Sequence, residues 1–439
     1  MSQSRLLRER RFLPLFITQF LGALNDNVFK NSLVVLLTFK AAEWTSLPPG
    51  ILANLAAGIF ILPFFVFSAS AGQFADKFDK ARIARLVKIL EILIIVIAGA
   101  GFAAHSLFLL LAALCLLGCH STLFGPVKYA ILPEHLHAGE LIGGNALIEA
   151  GTFVAILVGT LFGGLLAATG DTLWITGAAL AIAVAGYAAS RFIPSAPPPD
   201  PHLRLLANPL RETWRVIGHA RANRIVFLAI LGISWFWLYG ALFLAQFPAY
   251  AKDVLGGSEV AVTLLLATFT VGIGAGSLAC ERMSGGRVEL GLVPLGSLGL
   301  TLFGLDVAFA SPTLPPIGAP LALAALLGQW STWHVLADLL LIGVFGGFFI
   351  VPLYTLLQER SEASHRARVI AANNILNACF MVAGALAAAG LLAAGVSIAT
   401  LFGVAALGNA VVVTTIYKRE PEFIGRFVVW LRLHFGPQQ

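Results

Sequence analysis

The sequence predicts an all-α integral membrane protein with twelve transmembrane helices, arranged as two six-helix halves related by a pseudo-two-fold repeat. Three observations predict it. Of the 439 residues, 58% are hydrophobic and 11% charged, with a mean hydropathy of +0.88, whereas a soluble domain is about half apolar and about a quarter charged. The apolar residues form long continuous runs, unlike the alternating segments of about ten residues in an outer-membrane barrel. Short polar sequences also recur between the two halves. At about 35 residues per helix and loop, with about 20 needed to cross a hydrocarbon core of about 30 Å, the chain has room for about twelve crossings. Such a composition disfavours a cytosolic enzyme, a nucleic-acid-binding domain and an extracellular disulfide scaffold.

Apolar runs fall at roughly 12–39, 51–75, 83–104, 106–127, 141–168, 171–193, 225–251, 259–281, 290–310, 335–358, 369–394 and 396–417. The first carries Asp26 and Lys30 in its middle and lacks a small-residue cleavage site, so it reads as a retained helix and not a signal peptide. Residues 311–334 are apolar over too short a stretch to cross; with Trp330 and Trp333 they read as an interfacial segment on the outer side. Residues 194–224 open on Pro194, Pro197, Pro198 and Pro199 and continue as a basic, partly amphipathic linker. The division is therefore 1–193, linker 194–224, 225–417, and tail 418–439. Twenty-five of the 28 Lys and Arg residues, Lys88 among them, fall on one side; Lys40 and Lys252 fall on the other and Lys30 within a run. The positive-inside rule then puts both termini in the cytoplasm. It also accounts for the net charge of +6 without a nucleic-acid partner. The four cysteines make no CxxC pair, and Cys115, Cys119 and His120 lack a fourth ligand; no metal and no cofactor are expected.

The repeat is legible in three places. GQFADKFDKARI from Gly72 is echoed by GSLACERMSGGRVE from Gly276, GPVKYAIL from Gly125 by VPLYTLLQ from Val351, and LIGGNALIEA from Leu141 by VIAANNILNA from Val369. The last pair aligns Asn145 with Asn373 and Glu149 with Asn377. Two six-helix halves around a central site are the plan of a secondary transporter. The stretch 72–82 (GQFADKFDKAR) resembles the loop 2–3 signature of the major facilitator superfamily. Stretches 19–27 (QFLGALNDN), 125–129 (GPVKY) and 145–150 (NALIEA) resemble its lysophospholipid transporter branch. The resemblance implies movement of lysophospholipids such as lysophosphatidylethanolamine and lysophosphatidylglycerol from the outer to the inner leaflet of the bacterial inner membrane. It also implies re-acylation by a separate lysophospholipid acyltransferase, a monomeric transporter, and a cytoplasmic latch formed by Gly72, Asp76, Lys80 and Arg82.

Candidate substrate-binding residues come from polar positions inside apolar runs, where each charge costs several kcal/mol unless it faces a cavity or a partner. In 25–31 (NDNVFKN), Gln19 and Lys30 lie about 20° and 40° around the helix from Asp26 at about 100° per residue, and Asn27 follows. Asp26 and Lys30 are spaced i, i+4 in the favourable order, so they read either as a self-neutralising pair or as part of the substrate path. Asn145, Glu149 and Thr152 make a second stripe in which Glu149 reads as a packing residue, an ammonium contact or a proton-coupling group. Lys128 reads as a phosphate contact or a positive-inside anchor. Asn373 and Asn377 occupy the equivalent positions of the second half. Asp306 and Asp338 are expected near outer ends, solvated. Trp235, Phe236, Trp237 and Tyr239 suit either an acyl-chain path or packing. Residues 272–276 (GIGAG) lack the phosphate-loop pattern and suit helix packing, and His334 to Asp338 is one residue short of the HxxxxD arrangement of glycerolipid acyltransferases, so no enzyme is expected. The reading is a lysophospholipid flippase working by alternating access, with Lys30 or Lys128 toward phosphate, Asp26 or Glu149 toward ammonium, and Asn27 and Asn145 as donors. The alternatives are a proton-coupled exporter of drugs or small amphiphiles on the same fold and a scaffold for an acyltransferase.

Overall fold

The computed structural model describes residues 3–40, 45, 49–206, 208–311 and 320–435. Its long helices are α1 (Leu13–Phe39), α2 (Pro49–Lys77), α3 (Lys80–Ala103), α4 (Leu107–Ala130), α5 (Leu141–Ala168) and α6 (Thr172–Ser190), then α7 (Pro209–Ala222) in the linker. They continue with α8 (Arg224–Ala249), α9 (Glu259–Ser284), α10 (Leu292–Ala310), α11 (Trp330–Arg360), α12 (Arg366–Ala393), α13 (Ile398–Arg419) and α14 (Glu422–Phe435). Short polar residues start several of them by accepting from an otherwise orphan backbone N–H: Asp79 caps α3, Ser106 α4, Asp171 α6, Asn208 α7 and Ser397 α13. Among the described residues, eleven helices are long and apolar enough to cross a membrane. The twelfth is α1, whose 27 residues span about 40 Å and whose central polar run lowers its hydropathy. Among the described residues there is no strand, only an isolated bridge between Gly257 and Leu321.

Helix ends depart from the sequence reading at identifiable places. Trp330 and Trp333 belong to the exposed first turn of α11, which starts before the run read as its span; residues 312–319 of the segment ahead of it lie outside the described residues, as do 436–439 of the tail. Lys88, counted with the loop cations, is a fully buried residue of α3. The tail carries α14, whose Phe423 and Trp430 are buried.

The chain divides into two compact units, Met1–Gly144 with Val154–Arg224 and Gln358–Ala378, and Asn145–Phe153 with Ile225–Leu357 and Cys379–Gln439. In the first, Val28, Phe29 and Leu33 of α1 pack with Ile94, Ile95 and Phe102 of α3, Leu114 and Leu117 of α4, and Ile175 of α6. Close approach of α5 to α1 depends on Gly159, where a Cβ would fall 2.6 Å from Leu24 O and 2.8 Å from Asn27 Cβ. The linker is stitched to the end of α2: Lys77 Nζ donates to Leu203 O (2.8 Å) and Leu206 N to Gln73 Oε1 (2.8 Å). Asp79 accepts from Ser195 Oγ (2.5 Å) and Ala196 N (3.2 Å). Its helix α7 is amphipathic, burying Glu212, Val216 and Ala220 at i, i+4 spacing while Leu210 and Trp214 stay exposed.

In the second unit the glycines of the GIGAG stretch serve packing. Gly272 and Gly276 of α9 abut the backbone of α11 at Leu340 and Val344, leaving no room for a side chain. The aromatics of α8 are largely spent on structure. Trp235 Nε1 donates to Asn409 Oδ1 (2.9 Å), Tyr239 OH to Leu300 O (2.9 Å) and Trp237 Nε1 to Tyr354 OH (3.0 Å).

Candidate functional site

The polar run of α1 opens onto a buried network in the first unit. Lys88 and Glu91, one turn apart on α3 and both 0% exposed, pair at 2.5 Å. A buried ion pair persists only when its remaining hydrogen-bonding positions are filled. Here Asn25 Nδ2 of α1 donates to Glu91 Oε1 (2.6 Å) and His120 Nε2 of α4 lies 3.2 Å from Glu91 Oε2. Gly22 of α1 makes room for the ammonium, since a Cβ there would fall 2.7 Å from Lys88 Nζ. His120 also faces Asp26, with Nδ1 3.8 Å from Oδ1, and Ser121 Oγ donates to Asp26 Oδ2 (2.5 Å). Asp26 is thus held from α4. Among the described residues it forms no ion pair with Lys30; Lys30 Nζ instead donates to Asn27 Oδ1 (3.1 Å) and sits 5.3 Å over the Phe60 ring. The self-neutralising pair that helical spacing permits is therefore not formed among the described residues; Ser121 of α4 bonds one oxygen of the carboxylate, and the other accepts no hydrogen bond. Asn27 Nδ2 donates to Ala23 O, and Asn31 Nδ2 to Asn27 O and to Thr160 Oγ1. Gln19 is buried on the same helix.

The remaining candidates are distributed between the units. Lys128, half-buried near the end of α4, lies 4.5 Å over the Tyr129 ring, and Gln358 Nε2 donates to Tyr129 O (3.1 Å). Asn373 of α12 is fully buried in the first unit, its amide atoms without a hydrogen bond among the described residues, and Asn377 is buried one turn on. Asn145 and Glu149 of α5 belong to the second unit and are fully buried. There Asn145 Nδ2 donates to Thr355 Oγ1 (3.3 Å), and Phe153 stacks on Trp237 with centroids 5.7 Å apart.

The signature at the end of α2 meets the start of α12. Asp76, 0% exposed, accepts from the backbone N–H of Ala367 (3.1 Å) and Arg368 (3.3 Å) and from Arg368 Nε (2.8 Å). It therefore caps α12 with a charge at the positive end of the helix dipole. Arg368 NH2 reaches Ser364 O as well. Gly72 allows the approach, because a Cβ there would fall 2.8 Å from Ala371 Cβ and 2.9 Å from Arg368 Cα. Lys80 is buried and pairs with Glu134 at 2.5 Å, whereas the Arg82 side chain is exposed. Arg82 contributes its backbone N–H to Asp79 and makes no ion pair among the described residues.

One further sequence inference is corrected. Asp338 is 3% exposed and not solvated, because α11 begins a full turn earlier than its hydropathy indicates and carries Asp338 inward. Lys88, Glu91, His120 and Ser121 of the buried network are not among the residues the sequence singles out as a site. The available signal was a Lys and a Glu three residues apart inside an apolar run, a placement that membrane insertion penalises unless the two are paired.

A sequence model of the Major Facilitator Superfamily matches residues 15–319. Solved structures agree on the fold: human organic anion transporter MFSD10 aligns at TM-score 0.67 and 16% identity over 95% of this chain and 99% of its own. The transporter FucP aligns at TM-score 0.70 and 12% identity over 94% and 100%. In sequence, the chain is 29% identical over 383 residues to lysophospholipid transporter LplT of Cronobacter sakazakii (strain ATCC BAA-894) and 30% identical over 383 residues to that of Serratia proteamaculans (strain 568). Each match covers 84% of this chain and 85% of the relative. Fold and relatives define a multi-pass membrane transporter, and the chain belongs to the lysophospholipid transporter family of the major facilitator superfamily.

Proposed function

We propose that this protein is a lysophospholipid flippase that carries lysophosphatidylethanolamine and lysophosphatidylglycerol from the outer to the inner leaflet of a bacterial inner membrane by alternating access. The observation that carries the reading is 30% identity over 84% of the chain to a Serratia protein named as a lysophospholipid transporter. The chemistry of α1 supports it. Asp26 and Lys30 stand one turn apart without consuming each other, so one carboxylate and one ammonium are offered to a zwitterionic head group. In this reading Asp26 or Glu149 attracts the ethanolamine ammonium, Lys30 or Lys128 attracts phosphate, and Asn27, Asn145, Gln19, Asn373 and Asn377 supply hydrogen bonds. The acyl chain stays in an apolar, lipid-open path. Lysophosphatidylglycerol uses the phosphate contacts alone.

The contact of Gly72 and Asp76 with α12 serves as the cytoplasmic latch, held in place by Lys80 and with Arg82 beside it. Its release is the step that admits the head group to the inner side. The two halves of six helices, cytoplasmic termini, a monomeric state and delivery to a separate acyltransferase complete the proposal. The lysophospholipid transporters among its relatives do not favour the exporter alternative.

The test follows labelled 2-acyl lysophosphatidylethanolamine into diacyl lipid in spheroplasts of a strain lacking its own transporter but retaining acyltransferase. Wild type is expected to convert label well above the empty vector. Asp26→Asn and Lys30→Ala, expressed and inserted normally, are expected to lose at least about tenfold in rate, since lost charge-assisted contacts are each worth about 1.5–3 kcal/mol. Wild type equal to the vector overturns the function; active variants overturn the head-group site alone.

A further inference from the structure

At the end of α11 opposite Arg360, three side chains of the second unit converge that the proposed transport does not use. His334 and Asp338 stand one turn apart on α11, and Asp306 comes from α10. His334 Nε2 lies 3.0 Å from Asp306 Oδ2 and 3.7 Å from Asp338 Oδ2, and one ligand atom of each residue lies within 4.8 Å of the other two. Among the described residues this is the one group of three His, Cys, Asp or Glu side chains so arranged. Asp338 is the informative member. It is 3% exposed, and its Oδ2, facing the imidazole, accepts no hydrogen bond among the described residues. The two helices pack closely along their length: Gly296 and Gly299 bring α10 against α11, with a Cβ at Gly296 falling 2.6 Å from Phe349 N. Phe303 stacks on Phe345 at 5.5 Å.

Charge arithmetic points to the ligand. Two carboxylates beside one imidazole carry two negative charges when the ring is neutral and one when it is protonated. A divalent cation bound by the neutral ring brings the sum to zero. Zinc bonds of about 2.0–2.2 Å in tetrahedral geometry need ligand atoms about 3.4 Å apart. His334 Nε2 stands 3.0 and 3.7 Å from the two carboxylate oxygens, either side of that spacing, and all three ligand atoms lie within 4.8 Å of one another. One imidazole nitrogen with two carboxylate oxygens suits zinc or another transition metal better than magnesium, which takes oxygen ligands and keeps its waters.

We propose that Asp306, His334 and Asp338 form a divalent transition-metal site that ties α10 to α11, with water completing the coordination. The sequence alone gives no metal-binding motif because the third ligand stands 28 residues before His334.

The experiment uses untagged, full-length, chelator-stripped protein in detergent micelles, titrated calorimetrically with zinc chloride and, separately, magnesium chloride. Wild type is expected to bind one zinc ion per chain saturably and to unfold at a higher temperature in its presence, with neither effect from equimolar magnesium. Asp338→Asn and His334→Gln are each expected to weaken zinc binding at least about tenfold. The half-exposed Asp306→Asn provides the same readout should the buried substitution disturb folding, which size-exclusion chromatography reports. Absence of saturable zinc binding by monodisperse wild type overturns the site. So does undiminished binding by monodisperse His334→Gln and Asp306→Asn proteins, since the ion is then held elsewhere.

Discussion

Lys88 and Glu91 show how much of this protein's chemistry is decided by single buried residues. Each is fully buried, and Glu91 is bonded by Lys88 and Asn25, with His120 Nε2 3.2 Å away. Removing the cation alone strands a carboxylate in an apolar interior, a change that costs about 3–5 kcal/mol in buried pairs. Lys88→Met is therefore expected to lower the thermal unfolding midpoint of the purified protein sharply. Lys88→Met with Glu91→Gln is expected to recover much of the loss, because the amide still hydrogen-bonds Asn25 and carries no charge. Differential scanning fluorimetry of both variants checks this, and a double variant no better than the single one would sink the charge argument. At this scale the sequence was only partly legible. Asp26 and Lys30 stood out as charges inside an apolar run, but which donors take Asp26 depends on α4, whose His120 and Ser121 are 94 and 95 residues away in sequence. Helical spacing fixes neighbours on one helix and says nothing about the competitor across the interface.

Among the elements, α7 shows how a linker helix responds to its surroundings. Its His219 stacks on His365 at 4.9 Å. Burial pushes the His219 imidazole below its usual range, with further lowering from His365, Arg368 and Arg215 and partial opposition from Glu362. The folded state therefore prefers the neutral ring. A depressed histidine pKa means that the undocked helix takes up its proton first, so docking weakens as pH falls through about 6.5, the unperturbed value. Hydrogen–deuterium exchange in 209–222 is expected to accelerate between about pH 7 and pH 5.5 after correction for intrinsic exchange rates. In His219→Gln that added pH dependence should diminish; an unchanged profile would assign it to other groups on α7 or the end of α2. The sequence anticipated a basic, partly amphipathic stretch in the linker, and the structure shows Glu212, Val216 and Ala220 to be its buried face. Periodicity gave no sign of what the buried face meets, because a buried Glu212 reads as an exposed charge until Arg215 and Arg368 are seen near it.

For the whole molecule, composition and run length sufficed for the fold class, since a chain with this hydropathy must satisfy its backbone within helices or a closed barrel to cross a membrane. The end of α2 is a different matter: the charge of Asp76 is visible in the sequence, but its cap on α12, nearly three hundred residues later, is a product of the tertiary fold. Orientation rests on an electrostatic count, and correction of that count leaves its direction intact: moving Lys88 into α3 subtracts one cation from a large majority, while Lys252 remains exposed on the sparse side. Single-cysteine variants in a background with Cys115, Cys119, Cys280 and Cys379 replaced give a direct measurement. Lys252→Cys is expected to react with a membrane-impermeant maleimide in intact spheroplasts, and Arg82→Cys, on the exposed first turn of α3, only after disruption. The reverse pattern would invert the topology. It would put the Asp76 contact on the outer side, and a latch there would have to open to the outer leaflet before head-group entry and not to the inner leaflet after it.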